Sequence, residues 1–73
     1  MKKYLIVVEE TATGFSAYSP DLYGCIASGK TRQEVETEMG EAIAFHVEGM
    51  QRNGERVPEP HTYSHYVEIP LGD

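Results

Sequence analysis

One amphipathic stretch, residues 31–54, restricts the fold of this chain more than any other feature. It opens on Thr31-Arg32-Gln33-Glu34, a capping box whose threonine and glutamate side chains can each bond a backbone N–H group left free in the first helical turn. Apolar positions then recur at spacings of three and four, which predicts one helix that ends near Asn53 and Gly54. The apolar face comprises Val35, Met39, Ala42, Ile43, His46, Val47 and Met50, and the far side carries Glu34, Glu41 and Glu48.

The remaining segments have the composition of short strands. Residues 3–9, 15–19 and 26–28 are rich in β-branched, aromatic and small apolar side chains, and residues 63–69 alternate until Pro70 ends the run. The predicted order is therefore β-β-β-α-β, an α+β fold in which one helix packs across one face of an antiparallel sheet. Residues 3–9 are apolar on both faces, which indicates a central strand or one whose second face meets another subunit.

The chain is too short to hold two hydrophobic cores. Its 73 residues predict a single domain, residues 1–73, at a size where a disulfide, a metal or a second subunit often adds stability. Cys25 is the one cysteine, so an internal disulfide is excluded and we expect a homo-oligomer. The sequence has no secretory signal and no apolar run of about 18 residues, so we expect a cytoplasmic protein that does not bind membranes.

The charge balance bears on the kind of partner. Asp and Glu outnumber Lys and Arg by 12 to 6, for a formal net charge of −6, which opposes binding to nucleic-acid phosphates and favours a basic partner. The five tyrosines could stack RNA bases if several shared the uncovered face of the sheet. Because basic residues are few and tyrosine is enriched in protein interfaces, we favour a protein partner over RNA.

No residue pattern indicates catalysis. His46 lies within the apolar helical face, and Cys25 has no catalytic signature around it, so packing is the favoured role of both. His61 and His65 are four residues apart in an extended segment without a third ligand nearby, unlike the paired histidines of a helical zinc site. The glutamates of the helix are interpreted as a solvated face. We therefore predict that the chain is not an enzyme and has no metal site and no cofactor.

The connector between the second and third predicted strands is the candidate partner-binding site. Proline fixes its own φ and cannot donate to a strand, and the aspartate and glycine that follow favour turns, so this segment is predicted to be structured. The uncovered sheet face is the second candidate surface, and the connector with the sheet edge is the expected surface for self-association. The connector residues proposed to contact a partner are Pro20, Asp21, Leu22, Tyr23, Gly24 and Cys25.

The same connector carries a resemblance to a known family. Residues 18–29, Tyr-Ser-Pro-Asp-Leu-Tyr-Gly-Cys-Ile-Ala-Ser-Gly, followed by Lys-Thr-Arg-Gln-Glu-Val-Glu, closely resemble the HicB family of antitoxins, of UPF0150 type. The family pattern is a strand ending in Pro-Asp-Leu-x-Gly-Cys, a short strand, Gly-x-Thr and a helix with an early glutamate. Residues 4–10 are similar to its first strand, and Val-Pro-Glu-Pro at 57–60 is similar to its Ile-Pro-x-Pro after the helix.

The resemblance implies a fold similar to a pared-down ribonuclease H and a role as antitoxin. Members of this family bind a HicA toxin, a small basic protein that cleaves messenger RNA with a histidine, and block its RNA-binding and catalytic surface. They commonly assemble into dimers or tetramers. An excess of carboxylates on this chain would steer association with such a basic toxin.

Three further expectations follow from comparing this chain with the family pattern. Many HicB antitoxins carry a C-terminal DNA-binding domain, whereas this chain ends at Asp73, so direct operator binding is not expected. A solitary homo-oligomeric binding or scaffold domain with an unidentified ligand is therefore the alternative function. A residual metal-dependent nuclease is disfavoured, because the first strand offers Glu9 only at its edge where such a site needs several carboxylates on central strands.

Overall fold

A computed structural model describes residues 1–72 as three strands followed by one helix. The strands are β1 (Val7–Glu10), β2 (Phe15–Tyr18) and β3 (Ile26–Gly29), and the helix α1 spans Arg32–Arg52. The sheet is antiparallel with β2 in the centre. The predicted α+β class, with one helix on one face of an antiparallel sheet, is confirmed. Within the described residues, no helix is both long and apolar enough to cross a membrane.

Strand register sorts the side chains onto two faces of the sheet. Ala17 of β2 is opposite Val8 and Ala27, and all three contact the core beneath α1. Tyr18 is opposite Val7 of β1 and Ile26 of β3, on the face that the helix does not cover. We call this second side the open face. The core comprises Ala17, Leu22, Cys25, Val35 and Met39.

Gly29 lets the helix start close against the sheet. A Cβ atom added there would lie 2.9 Å from the backbone nitrogen of Val35 and 3.0 Å from the Cβ atom of Glu34. The distance to the Val35 backbone is too short for a Cβ atom and that to Glu34 is tight, so glycine permits this approach of β3 to the first turn of α1. Val35 and Met39 thereby reach the sheet and become fully buried.

Both ends of α1 are capped by residues that the sequence identified. The Thr31 hydroxyl accepts a hydrogen bond from the Glu34 N–H group at 3.0 Å, as the capping box predicts. The Glu34 carboxylate accepts instead from the N–H group of Lys30, one residue earlier than in the standard box, at 2.8 Å. At the other end Gly54 has a φ of +74° and donates to the Gln51 carbonyl, which closes the helix in a Schellman motif.

The fourth predicted strand is not formed, and this part of the sequence prediction was wrong. Residues 57–72 contain neither helix nor strand. Alternation in the sequence assigns side chains to two faces, but a strand also needs a hydrogen-bonded neighbour, and among residues 1–72 no strand pairs with residues 63–69. The first strand is also shorter than predicted, since regular pairing begins at Val7.

Replacement of a core methionine tests the packing of the helix on the sheet. Met39 is fully buried, so Met39→Ala should lower the free energy of unfolding by about 2–5 kcal/mol, measured by urea denaturation. Met50, which is half-buried on the same helix, provides a matched control, and Met50→Ala should cost clearly less. Equal losses for the two variants would contradict the assigned core.

Candidate partner-binding surface

The connector between β2 and β3 is a compact, internally bonded loop. The N–H group of Leu22 donates to the Ser19 carbonyl at 3.2 Å, and that of Cys25 donates to the Leu22 carbonyl at 3.2 Å. Gly24 has a φ of +83°, a backbone conformation that other residues rarely adopt. The Ser19 hydroxyl donates to the Leu5 carbonyl at 3.0 Å and so joins the loop to the segment before β1. The predicted structured connector is therefore present.

Burial separates the six predicted partner-binding residues into two groups. Leu22, Cys25 and Asp21 are buried, so they hold the loop in place. Pro20, Tyr23 and Gly24 are exposed and remain available to a partner, and the Tyr23 side chain is 98% exposed at the tip of the loop. Burial also raises the pKa of the Cys25 thiol, which favours the unreactive protonated form.

Asp21 connects the loop to the segment that follows the helix. Its carboxylate accepts the Thr62 hydroxyl at 2.6 Å and the backbone N–H groups of His61 and Thr62 at 3.2 and 3.3 Å. The His61 ring nitrogen Nδ1 lies 3.0 Å from the same carboxylate. The hydroxyl bond, helped by these neighbours, lowers the pKa of Asp21 despite its desolvation. The side chain predicted to touch a partner thus fixes residues 61–62 in this chain.

An open groove lies between the connector and the C-terminal half of α1. Leu22 and Tyr23 line it on one side, and Phe45, His46 and Met50 line it on the other. His46 thus lies at the edge of the helical apolar face, half-buried in the groove wall. The lining also includes Asn53, Glu55 and Pro58, so the groove combines apolar and polar side chains beside the exposed tip of the loop.

Phe45 is the residue of this surface that the sequence prediction missed. Its side chain is 76% exposed although it is aromatic. Glu41 precedes it by four residues and Glu48 follows it by three, so all three lie on one exposed stripe of α1. An aromatic side chain between two glutamates on the polar face of a predicted helix was the available signal. Tyr23 and Phe45 are both exposed and both line the groove, and we call them the aromatic pair. We call the exposed residues Glu38, Glu41 and Glu48 of α1 the acidic stripe, in which Glu48 is ion-paired with Arg52 at 2.8 Å.

The histidines and carboxylates do not assemble into a metal centre in the described part of the chain. No group of three or more His, Cys, Asp or Glu side chains in residues 1–72 could hold a metal ion. His61 contacts Asp21 and the Glu59 carbonyl instead.

The Asp21 contacts predict a pH dependence of stability. Because the folded pKa lies below the unfolded value of about 3.9, the carboxylate stabilises the fold above about pH 4, and this contribution is lost as the pH falls through the folded pKa. Asp21→Asn should therefore be less stable than the parent chain in urea at pH 7, with a difference that shrinks below about pH 4. Glu41→Gln, on the exposed helix face, is the control. A stability difference that stays constant from pH 7 to acid would rule out this role of the ionised carboxylate.

Comparison with known proteins places these features in one family. The family described as the HicB-like antitoxin of bacterial toxin-antitoxin systems matches residues 4–70. An uncharacterized 14.9 kDa protein from the rep-hol intergenic region of Haemophilus phage HP1 is 34% identical over 67 residues, which cover 92% of this chain and 50% of the relative. The chain thus spans half the length of that relative. The UPF0150 protein Ta0767 of Thermoplasma acidophilum is 30% identical over 77% of this chain and 83% of its own length.

A solved structure shows the same arrangement. A chain of the HicA3 and HicB3 toxin-antitoxin complex superposes with a TM-score of 0.71 and 33% identity, over 82% of this chain and 70% of that one. The match supports the three-stranded sheet with one helix described above. Together with the family match over almost the whole chain, it shows that this protein belongs to the HicB-like antitoxin family of bacterial toxin-antitoxin systems.

Proposed function

We propose that this chain binds a small basic HicA-type toxin that cleaves messenger RNA, and neutralises it by covering its RNA-binding and catalytic surface. The observation that carries this proposal is the exposed aromatic pair, Tyr23 and Phe45, which borders an open groove beside an acidic stripe of α1. The similarity to a chain of the HicA3 and HicB3 complex supports a toxin as the partner.

The chemistry of the groove suits a protein interface of this kind. Aromatic side chains at the centre of an interface supply most of its binding energy, whereas charged groups at the rim guide association. Tyr23 and Phe45 are the anchors, and Glu38 and Glu41 are exposed carboxylates with no ion-pair partner among residues 1–72. The net charge of −6 favours association with a basic toxin.

Neutralisation of the toxin by this route requires no catalytic step by the chain. A toxin whose RNA-binding surface is occupied cannot bind its substrate, so inhibition follows the stoichiometry of the complex. Of the six connector residues, Pro20, Tyr23 and Gly24 make the proposed contact, and Asp21, Leu22 and Cys25 hold the loop in the required shape.

Inhibition of RNA cleavage is the direct test. The tagged chain is used to purify a small basic protein from native cells, and cleavage of labelled RNA by that protein is then measured as the chain is added. We expect cleavage to stop at one chain per toxin binding site. Tyr23→Ala and Phe45→Ala should each weaken the complex at least tenfold, or by about 1.4 kcal/mol or more.

Tyr63→Ala is the matched control for these variants, because Tyr63 is also highly exposed but lies away from the groove lining. It should leave the affinity for the toxin unchanged. Undiminished RNA cleavage at an excess of the chain would disprove the antitoxin proposal and favour a solitary scaffold domain. Cleavage of RNA by the chain alone with magnesium or manganese would instead establish the nuclease alternative.

Salt dependence of association tests the role of the acidic stripe. Raising the sodium chloride concentration from about 50 to 500 mM should slow association with the toxin about tenfold or more, while dissociation changes little. Glu38→Gln combined with Glu41→Gln should reduce both the association rate and its salt dependence. Association that is equally fast at both salt concentrations would exclude electrostatic steering by these residues.

A further inference from the structure

The segment after the helix exposes an unusual amount of apolar surface. We call residues 63–71 the arm. Of the ten large hydrophobic residues that are exposed in the described structure, five lie in these nine positions, with exposures between 66% and 95%. Such a concentration on a small protein marks an interaction surface. The five residues are Tyr63, Tyr66, Val67, Ile69 and Leu71.

The arm extends away from the rest of the molecule. The longest dimension of the chain is 55 Å, whereas a helix of 21 residues accounts for only about 32 Å. The radius of gyration is 14.8 Å, against about 11 Å for a compact domain of this length. The arm therefore has little of its own chain to pack against.

The segment that precedes the arm, residues 58–62, is attached to the rest of the chain. The Tyr4 hydroxyl donates to the Pro58 carbonyl at 2.6 Å, Lys2 pairs with Glu59 at 2.6 Å, and Asp21 binds Thr62. Within the arm, Tyr66 lines an open pocket together with Val8, Glu10, Phe15 and Arg32. Tyr66 therefore lies near β1.

The edge of β1 is open to an added strand. β1 pairs only with β2 in the described structure, so its outer backbone groups face away from the sheet without a strand partner. Residues 5–8 are apolar and only half-buried, on both faces of the sheet. An unpaired edge with this composition is a template for strand addition.

From these contacts we propose that the arm is a strand shared between two copies of this chain. The arm of one copy adds to the β1 edge of the second copy, and the second arm adds to the first copy in the same way. The two contacts are then equivalent by two-fold symmetry, as in a closed dimer, and the apolar side chains of both arms become covered. Pro70 cannot donate to a strand, so it ends the pairing.

The composition of the arm favours a second copy over other occupants. Residues 57–72 contain no lysine or arginine, so a nucleic-acid backbone has no cationic partner there. The arm has a single carboxylate, Glu68, whereas a basic toxin would seek the glutamates of α1. An apolar, nearly uncharged strand fits residues 5–8, the apolar part of the β1 edge. This inference does not depend on the proposed toxin.

Assembly of the full chain tests the proposal. Sedimentation between about 1 and 100 μM should show a dimer rather than the 8.2 kDa monomer. Val67→Asp combined with Ile69→Asp should weaken the dimer at least a hundredfold and leave the helix signal in circular dichroism intact, because neither residue is in the core. Tyr18→Asp combined with Ile26→Asp, on the open face, is the matched control and should remain dimeric. If that control dissociates and the arm variant does not, the interface is the open face.

Cross-linking distinguishes exchange between chains from closure of the arm on its own sheet. In a Cys25→Ala background, Glu9→Cys is placed in one set of chains, and Ser64→Cys, Tyr66→Cys or Glu68→Cys in another. When the two sets of chains are mixed and oxidised, a disulfide should join one chain of each set in a covalent heterodimer. A disulfide that forms only when both cysteines are in the same chain would overturn the proposal. So would an arm variant that loses toxin inhibition but stays dimeric, since the arm would then be a toxin surface.

Discussion

Close packing of α1 on the sheet is the constraint on which the rest of this molecule depends. Val35 and Met39 are fully buried against Ala17 and Leu22, and Gly29 permits the short approach that brings them there. With one helix and three strands of four residues each, no second core exists in the described chain to compensate if this packing is lost. The groove and the connector are both positioned by this contact.

Some of the six connector residues have a structural role, and the others are exposed for recognition. Leu22 and Cys25 fill the core, and Asp21 fixes residues 61–62 forty positions further along the chain. These internal contacts leave Tyr23 exposed at the loop tip, next to Phe45 of α1. A family motif therefore need not be a list of contact residues, because half of this one acts inside the protein.

Two surfaces of different chemistry serve the two proposed partners. The groove side combines aromatic anchors with carboxylates, which suits a basic protein. The arm is apolar with a single glutamate, which suits another copy of the same chain. The two surfaces therefore differ in charge as well as in position in the chain.

The sequence alone determined the local structure of this protein, because caps and periodicity act between residues close in the chain. The capping box at Thr31, the stop at Gly54, the turns around Asp21 and Gly24 and the three short strands were all predicted, as was the family. The tertiary structure decided the burial, exposure and strand pairing that depend on residues far apart in the chain. Asp21 is buried where Thr62 bonds to it, and Phe45 is exposed on the side of the helix that faces away from the sheet. Residues 63–69 pair with no strand in the described part of the chain. A strand forms only when a second strand hydrogen-bonds to it, and the sequence of one segment does not specify which segment that is.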